Sequence, residues 1–164
     1  MVLTRRTEYT GLLVRRAQQA HAALWLAEVS TETTSVQFGV LDALLLDPGL
    51  SQRELGDRLD LDRSTIADIV LRLERRRLLS RDRHESDRRR NVLRLTELGR
   101  AETAHLLPLV ERMDGLLTAD LGPEELTAFR RSLLRVADPE AAGNGSEAAR
   151  DSAGQNSTGV GLRR

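Results

Sequence analysis

Two groups of residues have the types and spacing to do chemistry. The first is basic. All 25 basic residues of the 164-residue chain are Arg, and Lys is absent. A guanidinium group is a planar fork that matches phosphate or carboxylate oxygens in pairs. Arg88, Arg89 and Arg90 run together, and Arg63 stands beside the hydroxyls of Ser64 and Thr65 with Asp68 one turn on. From Arg53 to Arg94 there are 13 Arg against nine acids, an excess of four in a chain whose formal net charge is zero. That local asymmetry is an electrostatic footprint of nucleic-acid binding. The second group is aromatic. Of only four aromatics, Tyr9, Trp25 and Phe38 lie in the first 38 residues, among Arg15, Arg16 and His21, and the fourth is Phe129.

Other chemistries find no support. Cys is absent, which removes disulfides, thiol catalysis, thiolate metal sites and thiol-based oxidant sensing. No nucleophile–base pair, paired carboxylates or Gly-rich phosphate loop stands out, so no catalytic residue is predicted and the chain is not read as an enzyme. His21, His84 and His105 show no metal-ligand spacing, and no metal or cofactor is expected. No apolar run approaches the ~20 residues of a membrane span, and no hydrophobic N-terminal signal is visible, so a cytoplasmic location without membrane association is expected.

The positioning elements read as mainly helical (α+β). Residues 7–29 form one helix, apolar around much of its circumference through Leu12, Leu13, Val14, Ala17, Leu24 and Leu26. Such a helix is buried on most sides, which in a small chain points to a dimer core. Thr34-Ser35-Val36-Gln37 and Ser51-Gln52-Arg53-Glu54 are capping boxes that open two helices. Asp62 caps a longer one, running from Arg63 to about Arg76 with Ile66, Ile69, Val70 and Leu73 inward. The short turn at Asp60-Leu61 joins the last two as a helix-turn-helix. Leu78–Arg81 and Val92–Leu95 read as strands flanking a charged loop, a hairpin with a long tip. Thr96 caps a helix reaching about Leu117, and Gly122-Pro123-Glu124-Glu125 opens the last. After Ala137 the sequence turns to Gly, Ser, Asn and Ala, and residues 139–164 read as a disordered tail.

A helix-turn-helix followed by a charged hairpin is a winged helix. Its second helix places N-terminal residues against base edges in the major groove, here Arg63, Ser64, Thr65 and Asp68. Arg63 suits a bidentate guanine contact, worth about 1–3 kcal/mol of discrimination. The wing arginines Arg88, Arg89 and Arg90 would enter the adjacent minor groove. Arg75-Arg76-Arg77, at a helix end, is equally explained as solvated charge.

From Thr34 to Thr96 the chain resembles the MarR family of dimeric transcription regulators. The matching stretches are Thr34–Leu41, Ser51–Leu55, Leu61–Ile66, Leu73–Arg76, Asp87–Arg90 and Leu93–Thr96 with Gly99. The resemblance implies that Arg89 is the minor-groove probe, held with its neighbours by Asp87. It also implies that the first helix and the last two intertwine with a second copy. Residues 1–33 and 97–138 would then be a dimerisation layer around a DNA-binding domain at 34–96. A two-fold dimer implies a palindromic operator in double-stranded DNA. One departure is Arg77, where the family usually has Gly. A left-handed non-Gly residue costs roughly 1–2 kcal/mol, so a different helix end is expected here.

The family resemblance also implies an effector, since many members leave DNA on binding a small aromatic compound between the two layers. The run Leu12–His21 through Trp25 is similar to the branch that governs catabolism of aromatic acids, most of all its protocatechuate-responsive repressors. The candidate ligand-binding residues are Tyr9, Arg15, His21, Trp25 and Phe38. An Arg in an apolar helix needs an anionic partner, and a ligand carboxylate fits Arg15, with Arg16 as the alternative. Trp25 and Phe38 would sandwich the ring, and His21 or Tyr9 would bond a ring hydroxyl. Competing with this, Arg15 or Arg16 pairs with Glu8, Glu28 or a partner's acid, and Trp25 is plain core. The protein would then bind DNA without an effector.

Overall fold

The computed structural model describes residues 9–83 and 91–137. Six helices and one hairpin follow in the order α1 (Thr10–Glu28), α2 (Ser35–Leu46), α3 (Gln52–Leu59), α4 (Arg63–Arg75), β1 (Leu79–Arg83), β2 (Asn91–Leu95), α5 (Glu97–Leu117) and α6 (Pro123–Ala137). The chain divides into two compact units, residues 1–117 and 118–164.

Local chemistry accounts for the helix starts. Both capping boxes form. Thr34 and Gln37 exchange side-chain bonds with each other's backbone N–H at 3.2 and 3.1 Å. Ser51 and Glu54 do the same at 3.3 and 2.8 Å. Each box satisfies orphan donors that an uncapped first turn leaves open. Thr96 caps α5 by accepting from Gly99 N–H at 3.0 Å, while its hydroxyl donates to the Arg77 carbonyl at 2.7 Å.

The core of the first unit gathers α2, α3, α4 and the hairpin. Val40, Leu41, Leu44, Leu55, Ile66, Val70, Leu73 and Leu93 close it. The strands pair antiparallel from Leu79↔Leu95 to Arg83↔Asn91, so the hairpin rises from the end of α4. Gly99 lets α5 start against this junction. A Cβ there would stand 1.8 Å from the Leu78 carbonyl oxygen.

The end of α4 differs from expectation. Arg77 does take the left-handed conformation, at φ 60°. Its N–H bonds the Glu74 carbonyl at 2.8 Å, and Leu78 N–H bonds the Leu73 carbonyl at 3.0 Å. This is the paired bonding of a Schellman C-cap. Those bonds, with Leu78 buried behind them, hold Arg77 in place despite the missing Gly.

A second cluster joins α1, α2 and α5 through Trp25, Phe38, Leu106 and Met113. Trp25 is the one fully buried residue of α1. Leu12, Leu13 and Leu26 of the same helix are exposed. In the second unit, α6 opens as expected, with Gly122 N–H donating to Glu125 at 2.9 Å. Phe129, Leu133, Leu134 and Val136 of α6 are exposed.

Candidate nucleic-acid interface and effector site

The turn between α3 and α4 is tight because Asp60 ends α3 left-handed at φ 52° and Leu61 N–H bonds the Gly56 carbonyl at 2.9 Å. Gly56 allows the close approach: a Cβ there would be 3.1 Å from the Leu61 carbonyl. Asp62 then caps α4. Its carboxylate accepts from the N–H groups of Ser64 and Thr65, both at 2.9 Å, and from both hydroxyls. The hydroxyl bonds of Ser64 and Thr65, with Thr65's N–H next, hold the Asp62 carboxyl far below the usual carboxylate range.

This geometry bears on each predicted base-reading residue. Arg63 is exposed at the start of α4. Ser64 and Thr65 give their hydroxyl protons to Asp62, so in this arrangement they offer lone pairs rather than donors. Asp68 is bound to Arg72 at 2.8 Å. Arg88, Arg89 and Arg90, with Asp87 and His84, lie outside the described residues.

A cleft of about 820 Å³ runs beside the start of α4, lined by residues of α3, α4 and both strands. Three guanidinium groups line it: Arg53, Arg63 and Arg81. Arg81 is fixed by Glu74 at 3.0 Å and by the Gln52 side-chain amide oxygen Oε1 at 3.4 Å. Asp57 lines the same cleft and pairs with Arg53 at 3.8 Å, so two of the three guanidinium groups already face an acid. In the sequence Arg53 belongs to a capping box and Arg81 to a strand, and neither pattern marks them as site residues. They come from separate elements, and no spacing rule links them.

In the aromatic group the structure joins three residues. His21 lies 6.0 Å from Trp25, centroid to centroid, and Trp25 lies 5.9 Å from Phe38 at 52°. Rings at that separation touch directly, so no aromatic ligand fits between Trp25 and Phe38, and the expected sandwich does not exist here. A ring would have to lie beside His21 instead. The indole N–H of Trp25 donates to the Thr33 carbonyl at 2.7 Å.

Tyr9, Arg15 and Arg16 are all exposed. Arg15 precedes His21 by six residues, about 9 Å along the helix axis. Six residues also turn about 120° around the axis, so the two side chains leave α1 on different faces. Glu28 is not the partner of Arg15, since Arg112 holds Glu28 at 3.5 Å. Glu8 lies outside the described residues. His105 is exposed on α5. Among the described residues no group of three His, Cys, Asp or Glu could hold a metal ion, and no helix is long and apolar enough to cross a membrane.

Comparison with known proteins places the chain. The family model described as "MarR family" matches residues 32–90. The HTH-type transcriptional repressor NicR of Pseudomonas putida is 33% identical over 135 residues, covering 82% of this chain and 85% of NicR. The PcaV transcriptional regulator of Streptomyces coelicolor, solved in complex with its natural ligand, superposes with a TM-score of 0.80 at 45% identity, over 85% of this chain and 99% of PcaV. The transcriptional repressor CouR, solved bound to a 23-mer DNA duplex, superposes at 0.76 with 32% identity, over 84% of this chain and 99% of CouR. With the helix-turn-helix, the two-stranded hairpin and relatives matched along most of their length, the chain belongs to the MarR family of winged-helix transcriptional regulators.

Proposed function

We propose that this protein is a dimeric repressor that leaves a palindromic operator when it binds protocatechuate or a similar hydroxybenzoate. The observation that carries the DNA half is the cleft beside α4, which Arg53, Arg63 and Arg81 line next to the capped helix start. In this reading Arg63, Ser64, Thr65 and Asp68 face the major groove, and Arg88, Arg89 and Arg90 reach the minor groove. The likeness to CouR, solved on duplex DNA, supports it.

The dimer half rests on exposed apolar helices. α1 leaves Leu12, Leu13 and Leu26 uncovered, and α6 leaves Phe129, Leu133 and Leu134 uncovered. A second copy is the partner that would bury them, with residues 1–33 and 97–138 as the dimerisation layer.

The effector half rests on Arg15 and His21, with Tyr9 beyond them and Trp25 and Phe38 as a buried floor. Arg15 takes the carboxylate and His21 a ring hydroxyl. The likeness to PcaV with its natural ligand supports a small-molecule site. One observation favours an effector-free DNA binder instead: Trp25 and Phe38 are 5% and 8% exposed and already in contact.

Thermal unfolding against hydroxylated benzoates, cinnamates and nicotinates separates the two. A ligand at one hundred times its Kd adds about 2.7 kcal/mol, several degrees in Tm. A selective shift with protocatechuate that Arg15→Ala abolishes supports the sensor. No shift across the panel leaves the effector-free binder.

A further inference from the structure

Arg76 stands at the C-cap of α4, the far end from Arg63. It is turned inward. One guanidinium nitrogen donates to the Glu32 carbonyl at 3.2 Å and the Thr33 hydroxyl at 3.0 Å. The other reaches the Glu102 carboxylate at 3.4 Å and the Glu32 carboxylate at 4.0 Å. The Thr33 hydroxyl in turn donates to Glu102 at 2.9 Å. Thr33 is 1% exposed, and its carbonyl is the acceptor for the Trp25 indole. Through four residues, the end of α4 is thus bonded to α1, to the α1–α2 connection and to α5.

We propose that Arg76, Thr33 and Glu102 are positioning residues: a polar clamp that sets the angle of α4 and couples it to the surroundings of Trp25. α4 otherwise packs chiefly on α3 and β1, so the clamp ties the helix to the elements that carry the aromatic group. Arg76 and Glu102 are partly shielded from solvent, where charge-assisted bonds are stronger and a fork holds one geometry. Thr33 is shared. Its carbonyl answers to Trp25 and its hydroxyl to Arg76 and Glu102. A displacement of the indole therefore moves an acceptor of Arg76, and a tilt of α4 moves the acceptor of the indole. Coupling of this kind is reciprocal. The inference rests on the reading of α4 as the DNA-reading helix.

Trp25 is the only tryptophan, so its emission reports on one end of the clamp. The full-length protein is titrated with a duplex that it has itself selected from a random pool. The wild type should change its Trp25 emission on binding. Thr33→Val keeps the carbonyl and removes the hydroxyl, and Arg76→Lys keeps the charge and removes the fork. Both should still bind the duplex, within about tenfold of wild type, with at least half of the emission change lost. A full emission change in both bound variants overturns the clamp, as does bound wild type with no change.

Hydrogen exchange without DNA tests it separately. Trp25→Phe keeps a ring against Phe38 and removes the indole donor. Amides of residues 75–78 should exchange at least fivefold faster, with those of α3 unchanged. Unaltered exchange at 75–78 overturns the proposal. If no duplex binds the wild type, the DNA-reading role of α4 fails, and the clamp is judged by exchange alone.

Discussion

Between α2 and β2, Leu41, Leu44, Leu55, Leu73 and Leu93 are each no more than 2% exposed, whereas on α1 Leu12, Leu13 and Leu26 stand 47–60% exposed. α1 is the richer of the two in aliphatic residues, yet it is the one left uncovered. The helix-turn-helix and hairpin close a core from one chain's own side chains. In the proposed dimerisation layer, α1 and α6 leave apolar side chains exposed, although α1 and α5 share the buried cluster of Trp25, Leu106 and Met113. On the proposed reading, the DNA-facing region closes its own core within a protomer. Spacing between two reading heads, and access to the aromatic group, would instead depend on a second copy. Regulation by a small ligand is easier to place in the region whose packing is unfinished.

The closed core should respond most strongly to substitution. Gly99→Ala should have one of the two largest effects, because the new Cβ would meet backbone, the Leu78 carbonyl at 1.8 Å. Overpacking typically costs about 1–3 kcal/mol and occasionally more, and with backbone in the way the upper end or beyond is expected. Denaturant unfolding checks it, and a stability equal to wild type would contradict the close junction. Leu41→Ala should cost about 2–5 kcal/mol at a site with no exposure. The matching change on the other region, Leu26→Glu, should barely alter the stability of a protomer and should instead shift sedimentation from dimer toward monomer. A dimer that survives Leu26→Glu together with Leu13→Glu would mean that α1 is not the covered face.

Smaller effects are expected at the two ends of α4. Asp62 has its carboxyl held below its ordinary value of 3.8 by the Ser64 and Thr65 bonds. A depressed folded value contributes stability above the unfolded value, and that contribution is lost as pH falls toward the folded one. Wild-type stability should therefore decline below about pH 4 more steeply than that of Asp62→Ala, which is less stable at neutral pH. Parallel pH profiles would contradict the cap. Arg77→Gly should stabilise by up to about 1 kcal/mol, the relief of a left-handed side chain less the entropy of Gly in the unfolded chain. A loss of stability would show that the Arg77 side chain contributes more than its backbone costs.

Much of the fold was legible in the sequence because its signals are local. Thr34 with Gln37, Ser51 with Glu54, and Asp62 before Arg63 mark helix starts within a few residues, and each forms as expected. The two strands appear within two residues of their expected bounds. What was not legible depends on elements meeting. The partners of Arg76 lie 26 to 44 residues away in sequence, and a run of three Arg gives no hint of which one turns inward. Helical spacing put His21 and Trp25 on one face, and the structure agrees. Spacing could not show that Phe38 would close on Trp25 and leave no gap for a ring. At Arg77 a penalty estimated for one residue was outweighed by two backbone bonds and a buried Leu78, which a single-residue argument does not count.

In the proposed mechanism one small acid weakens the grip of the α4 face on DNA. The most direct measurement is the affinity of the wild-type protein for its selected duplex, by fluorescence anisotropy at fixed salt, with and without saturating protocatechuate. The account predicts a Kd raised at least tenfold by the acid, about 1.4 kcal/mol of coupling, and no such change in Arg15→Ala. Equal affinity with and without the acid, and with every other hydroxybenzoate tried, would contradict it.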